Sequence, residues 1–409
     1  MNWFNDYPLD VQAVENRELR RQRVCEAQRR SLSLIYFIQQ EIDPSWSVAE
    51  DQYPTEPLYD CPLPFVLRPI ARRFPPIAYV RESRRLIGVD TLTGQDLLRV
   101  ETPGPPAHGR VRHADAIAIG DYPVDLHNCD RDGDFEPPES VADLSPKGGT
   151  FQIPMGVAVP QTIDGLLAAE KNISQSRIAN GATRLQPVTM MTGQSIGALA
   201  AIAVDRGVQP RGVPAILVQD VVTKAGLRIA QDYTVDTTNP RWFAGVQVAM
   251  TRDLMSVYSD HTFRPHLPIT RADASGLFAT LSLLGSQSPP ASPTFEDVSV
   301  DHPLFRAIET VAAAGLMTPC TPKRFCPNAP LTRAAGAFAF DLLRPRDEAV
   351  PAMTFVDVND THPVAAIAAA VSMGAISRCA ADRFCPAAGF IRGDAATLAT
   401  RLLVLQAQR

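Results

Sequence analysis

Apolar positions are spaced for helices over much of the chain. Over Glu18–Ile42, Leu32, Ile35, Ile38 and Ile42 fall on one face and predict a long helix. Val188–Val204, apolar and rich in small residues, predicts a second, and Val213–Ala225, closed by Gly226, a third. Short apolar runs at Ile77–Val80, Ala116–Ile119, Gly156–Val159 and Leu166–Ala169 are spaced for strands. Residues 53–76 are proline-rich and read as loop. From about residue 231 the pattern changes. Small-residue helical stretches such as Leu304–Ala314 stop at a glycine, Gly315 or Gly374. A short loop follows, then Thr270 or Thr332 stands at the N-cap of a second apolar helix such as Ala334–Leu343.

This grammar repeats. Tyr258-Ser-Asp-His-Thr-Phe263-Arg-Pro265 is followed by Ile269-Thr-Arg271. Cys320-Thr-Pro-Lys-Arg-Phe325-Cys-Pro327 is followed by Leu331-Thr-Arg333, and Cys379-Ala-Ala-Asp-Arg-Phe384-Cys-Pro386 by Ile391-Arg392. The phenylalanines are 62 and then 59 residues apart, and Asn239-Pro240, His302-Pro303 and His362-Pro363 keep the same phase. Phe295-Glu-Asp-Val298 and Phe355-Val-Asp-Val358 open copies two and three. Ser286–Pro293 and Arg344–Pro351 link the copies. A fixed period over three copies predicts a helical repeat module.

The copies resemble S-layer homology domains, whose pattern is an opening Phe-x-Asp-Val, a helix, a glycine, a Phe-x-Pro loop and a Thr-Arg-Ala turn into a second helix. Residues 231–285, 294–345 and 352–405 are the expected repeats. The third departs, because no threonine precedes Arg392, and the first lacks a clear Phe-x-Asp-Val opening. The resemblance implies attachment to anionic cell-wall polysaccharide at the cell surface. It also implies that Arg271, Arg333 and Arg392 meet the glycan, with Trp242 as the aromatic of the first copy. Leu304 and Val364 stand in its place in the others. The alternative reading is that these arginines pack between repeats.

Within residues 1–230, Tyr79–Arg85, Ala118–His127, Leu167–Ser174 and residues 183–204 resemble the C-terminal part of FAD-dependent oxidoreductases of the xanthan-lyase-like group. The resemblance implies an FAD cofactor and an α/β fold. No Gly-x-Gly-x-x-Gly follows a strand, so the expectation is a partial fold lacking its Rossmann half. A separate FAD-binding polypeptide, or a lost N-terminal one, would complete it, and this chain alone is expected to hold FAD weakly or not at all.

Three groups of residues carry candidate chemistry. Thr192, Gly193, Gln194, Ser195 and Gly197 form a glycine-bearing segment, with Arg184 before it. Such a segment either packs tightly on a sheet or offers N–H groups to a phosphate or flavin oxygen. The resemblance favours flavin contact. Asp125 and His127 lie two apart with Tyr122 nearby; they read as a proton relay for hydride transfer or as a surface pair. Arg81, Glu82, Arg84 and Arg85 read as an anion site or an ion-pair network. Asp130–Asp134 looks like a calcium loop but has Val141 where the twelfth-position glutamate belongs.

Composition bounds the rest. Lys and Arg total 39 against 44 Asp and Glu, a net charge of −5, which argues against a nucleic-acid partner. No uninterrupted apolar run reaches the roughly 18 residues of a membrane span, and the first residues do not read as a signal peptide. Seven cysteines include two Cys-x5-Cys pairs without accompanying histidines. Disulfides Cys320–Cys326 and Cys379–Cys385 are expected rather than a metal site, and with them an oxidising, extracellular compartment.

Overall fold

The computed structural model describes residues 7–9, 11–53, 61–97, 111–126, 150–231, 239–260, 262–282, 290, 292–347 and 349–409. It divides into two compact units, one of residues 1–84 and 124–145, the other of residues 85–123 and 146–409. The first unit holds α1 (Val11–Glu15), α2 (Arg17–Glu41) and α3 (Arg68–Ala71). Asn16 separates α1 from α2 because its side chain caps α2, accepting from the Glu18 and Leu19 N–H groups. A disulfide between Cys25 and Cys61, absent from the sequence expectations, anchors a small core with Leu32, Leu63 and Ala71. Ile77–Val80 is not a strand: Pro75 and Pro76 precede it and Ile77 is 72% exposed.

The second unit opens with α4 (Gly94–Leu97), then β1 (Ala116–Gly120) and β2 (Phe151–Pro154), an antiparallel pair with a bulge between Ala116 and Ala118. Pro154 ends β2, and Met155–Ala158 turns as a 3-10 helix where a strand was expected. Leu166–Ala169 is irregular and begins after Gly165 at φ +69°. Helices α5 (Arg177–Thr183), α6 (Gln186–Arg206) and α7 (Ala215–Lys224) follow. Both α6 and α7 pack on β1. The result is a mainly helical layer over a two-stranded sheet.

Buried glutamines join this layer to the first repeat. Gln219 on α7 donates to the Ala114 and Ala116 carbonyls, and its oxygen accepts from Arg252 Nε at 2.8 Å. Gln152 on β2 donates to the Ile229 carbonyl, and Gln247 accepts from the Ile229 and Ala230 N–H groups. Gln247 lies on α8 (Phe243–Thr251), the first helix of the first copy. The layer and the first repeat are therefore joined by buried hydrogen bonds from Gln152 and Gln247 to residues 229–230 and from Arg252 to Gln219.

The repeats contribute helix pairs: α8 with α9 (Arg271–Leu281), α10 (Phe305–Ala313) with α11 (Arg333–Leu343), and α12 (Val364–Ser372) with α13 (Arg392–Ala407). Each first helix packs on the second helix of the preceding copy: α10 on α9, α12 on α11, and α8 on α13. The last contact closes a ring. At its centre the segments before the second helices hydrogen-bond in a cycle. Ile269 N–H donates to Phe390 O (2.8 Å), Phe390 N–H to Leu331 O (2.7 Å) and Leu331 N–H to Ile269 O (3.0 Å). Three segments thus satisfy one another's backbone groups in a buried axis where water cannot.

The third copy's departure from the Thr-Arg-Ala pattern has a packing cause. Thr270 and Thr332 cap α9 and α11 with their side chains, whereas Ile391 caps nothing. Gly393, where the other copies have Ala272 and Ala334, faces the Trp242 indole: a Cβ there would sit 2.7 Å from the ring. Gly393→Ala should therefore destabilise the protein by about 1–3 kcal/mol through overpacking. Gly197→Ala, mid-helix with open space around it, should leave stability unchanged or raise it by up to about 1 kcal/mol. Urea unfolding of the two variants makes the comparison.

Candidate functional site

The three repeat arginines each reach across a joint to the loop of the following copy. Arg271 Nε donates to Phe325 O (2.8 Å) and Nη2 to Thr318 O (2.6 Å). Arg333 donates in the same way to Phe384 O and Ser377 O, and Arg392 to Phe263 O (2.9 Å) and Ser256 O (2.6 Å). Each guanidinium also lies over the phenylalanine whose carbonyl it holds, at 4.6 to 4.8 Å from the ring centroid. Planar donors with an apolar face suit this double contact better than lysine would. Arg333 and Arg392 are buried and Arg271 is half-buried. Burial pulls the Arg271 and Arg333 guanidinium groups below their ordinary values, opposed at Arg271 by Asp297 and at Arg333 by Asp394.

The receiving loops are built alike. The residue after each phenylalanine takes a left-handed conformation: Arg264 (φ 53°), Cys326 (58°) and Cys385 (56°). In copies two and three that residue is tied by the disulfides Cys320–Cys326 and Cys379–Cys385, as the sequence led us to expect. In copy one Tyr258 and Arg264 occupy the same two positions, with the guanidinium 4.1 Å from the tyrosine ring centroid and 2.8 Å from Asp260. Asp297 accepts from the Phe325 and Cys326 N–H groups, and Asp357 from those of Phe384 and Cys385, which gives the opening Phe-x-Asp-Val its purpose.

Trp242 does not meet Arg271. It is 5% exposed, and its Nε1 donates to Asp394 (2.8 Å) on the third copy's α13. Asp394, itself buried, also accepts from Arg333 (2.9 Å) and from the half-exposed Arg241 (3.0 Å). This four-residue cluster joins all three copies. The sequence signal for it was present but weak: Asp394 holds the register of the exposed Asp273, and nothing in spacing separates a buried carboxylate from a solvated one.

Within residues 1–230, Thr192–Gly197 lies in the second to fourth turns of α6, not at its start, so its N–H groups belong to the helix's own hydrogen bonds. Ser195 donates to Ile117 O (2.6 Å) and fastens α6 to β1, and Thr192 donates to Val188 O. Gly193 sits near the Ala169 carbonyl. Gln194 and Gly197 face outward with Met190, Ala201 and Val204. Met190 is 72% and Val204 83% exposed, and this outward face carries no charge from Pro187 to Val204. The helix is long and apolar enough by length and composition to cross a membrane, although polar residues such as Thr192, Gln194 and Ser195 interrupt its apolar runs. Arg184 is buried at the end of α5.

Asp125 lies in the first unit, where Arg81 pairs with its carboxylate (3.3 Å) and donates to its carbonyl. Arg84 pairs with Glu15 in that unit, so two members of the 81–85 charge run are engaged in ion pairs. Tyr122 belongs to the second unit. His127, Cys129 and the Asp130–Asp134 stretch lie outside the described residues. An FAD pyrophosphate needs a strand, a Gly-x-Gly-x-x-Gly turn and a helix start. Among the described residues the sheet is β1 with β2 alone, and the glycine segment is mid-helix. The described residues do not supply that cradle.

The loop carboxylates make stability pH-dependent. Burial alone would raise Asp297 and Asp357, but the backbone N–H donors outweigh it and hold both below the ordinary aspartate value. A depressed folded-state value stabilises above the unfolded value and is lost as pH falls through the folded one. Wild type should melt higher than Asp297→Asn/Asp357→Asn by a constant margin from neutrality to about pH 5, and the margin should shrink below about pH 4. Thermal melts across that range check this.

A family model for FAD dependent oxidoreductases matches residues 1–223, and one for the S-layer homology domain matches residues 234–275 and 294–335. No curated protein matches the chain. The oxidoreductase match covers more than half of the 409 residues, and the chain belongs to the FAD-dependent oxidoreductase family, with S-layer homology repeats following on the same polypeptide.

Proposed function

We propose that this chain is a cell-envelope-associated part of an FAD-dependent oxidoreductase, tethered through its repeats to anionic cell-wall polysaccharide at the cell surface. The observation that carries the reading is the order of the two families on one polypeptide, oxidoreductase over residues 1–223 and S-layer homology over residues 234–335. Residues 352–405 act as a third repeat, supported by their equivalent loop, arginine and disulfide. Residues 1–230 form the substrate-side portion, and a nucleotide-binding half, on the same or another polypeptide, completes it. The uncharged outward face of α6 supports such docking, because a solvated helix face is ordinarily charged. FAD would supply the hydride chemistry there. Tyr122, Asp125 and His127 are the proposed proton-handling residues, and Arg184 with the 192–197 segment the proposed flavin neighbours.

Of Arg271, Arg333, Arg392 and Trp242, only Arg271 is half-buried rather than buried, and it is the proposed glycan-facing residue. Arg333, Arg392 and Trp242 then act by shaping the joints. A second reading, a non-catalytic wall-binding protein with a relic oxidoreductase portion, is favoured by the missing pyrophosphate cradle among the described residues.

Two measurements test these readings. The purified chain should sediment with cell-wall sacculi, and Arg271→Ala should lower the bound fraction several-fold with the circular dichroism unchanged. Wild-type protein left in the supernatant overturns the anchoring. The chain alone should show no flavin absorbance at one FAD per chain, and a stoichiometric yellow protein overturns the need for a further half.

A further inference from the structure

The joints of the repeat ring are not equivalent in chemistry. At the joint from copy one to copy two, Arg271 grips Phe325 O and Thr318 O. The disulfide Cys320–Cys326 begins two residues after Thr318 and ends one residue after Phe325, so it holds together the two strands of the loop that present those carbonyls. The joint from copy two to copy three is the same: Arg333 grips Phe384 O and Ser377 O, and Cys379–Cys385 ties that loop at identical offsets. At the joint from copy three to copy one, Arg392 grips Phe263 O and Ser256 O, and the same two positions hold Tyr258 and Arg264. That tie is a cation–π contact reinforced by Asp260, and it contains no sulfur.

We infer that the ring is a thiol-responsive device in which a dithiol reductant loosens the second repeat selectively. The second copy takes part in both sulfur-dependent joints, as receiver from Arg271 and as donor through Arg333. The first and third copies each keep the sulfur-free joint between them. They also keep Trp242 and Arg241 on Asp394, and the first is fused to α7 through Gln219 and Arg252. The Arg333–Asp394 ion pair and the central backbone bonds of Leu331 with Ile269 and Phe390 still restrain the second copy without sulfur. The chemistry balances simply. A dithiol gives two electrons and two protons to each protein disulfide, leaving two cysteine thiols and its own cyclic disulfide. Cys320 and Cys379 are exposed at the loop tips, where a thiolate can reach them. With the staple gone, Cys326 and Cys385 have no covalent restraint in a left-handed conformation that non-glycine residues disfavour. Asp297 and Asp357 still hold the phenylalanine side of each loop, but the Thr318 and Ser377 side loses its covalent tie to it.

Hydrogen exchange followed by mass spectrometry on the full chain tests the inference, with dithiothreitol as the reductant. The expected result is that peptides from α10 and α11 exchange about tenfold faster after reduction, while peptides covering residues 256–264 and α13 keep their rates within about twofold. Cys25–Cys61 is also reduced by this treatment, so Cys320→Ser/Cys326→Ser/Cys379→Ser/Cys385→Ser, with that bond intact, is compared without reductant and should reproduce the pattern. If that variant fails to fold, Cys25→Ser/Cys61→Ser under reductant isolates the same two bonds. Unchanged exchange, equal acceleration in all three copies, or acceleration confined to residues 320–326 and 379–385 overturns the inference.

Discussion

The fold of the C-terminal half depends on closure. None of the copies can bury its own apolar helix faces, and each lends its first helix to the second helix of the copy before it. Such an arrangement leaves an open end unless the last copy meets the first. Here α13 packs on α8, the three central backbone bonds run in a cycle, and each second-helix arginine grips the next loop. Because the arginine donors are charged and one of the two acceptor carbonyls in each grip belongs to a fully buried phenylalanine, each grip is stronger than a neutral hydrogen bond and more damaging to lose half-made. The remaining features follow from it: a left-handed residue after each phenylalanine presents the carbonyl, and an aspartate or staple holds the loop that carries it.

Much of this was legible in the sequence because the repeat writes the same physical requirement three times. The period, the helix stops at Gly315 and Gly374, the threonine caps and both loop disulfides could be read directly, since each needs a particular residue at a particular offset. The direction of the arginines could not. A helix-start arginine reads the same whether it faces solvent or the neighbouring loop, and only the closed ring decides. Tyr258 and Arg264 were visible as a departure, but their equivalence to a disulfide emerges only when both rings of contact are superposed in register. In the oxidoreductase portion the helices were read correctly and the strands poorly. Ala116–Ile119 found a partner in Phe151–Pro154, whose alternation of Phe151, Gln152 and Ile153 is too short to announce a strand, whereas Ile77–Val80 and Leu166–Ala169 found none.

The two functional parts are mechanically continuous where they meet. Gln152 and Gln219 spend their amides on backbone carbonyls and on Arg252, the Gln247 oxygen accepts from the Ile229 and Ala230 N–H groups, and buried bonds of this kind resist hinge motion. Buried bonds of this kind fix the orientation of the sheet layer relative to the first repeat. Among the described residues the outward face of α6, with Met190 and Val204, is exposed.

The central claim is that the third copy closes the ring onto the first, and Trp242 reports on it directly. In a protein carrying Trp3→Phe and Trp46→Phe, Trp242 is the sole tryptophan, since the chain has three. Its indole is covered by Gly393 and Asp394 of the third copy. Acrylamide quenching of the full chain should be weak, and the same chain ended after residue 346 should be quenched strongly with red-shifted emission. Equal, weak quenching in both would mean that the first two copies bury Trp242 without the third, and the closed ring would not be what holds the repeats together.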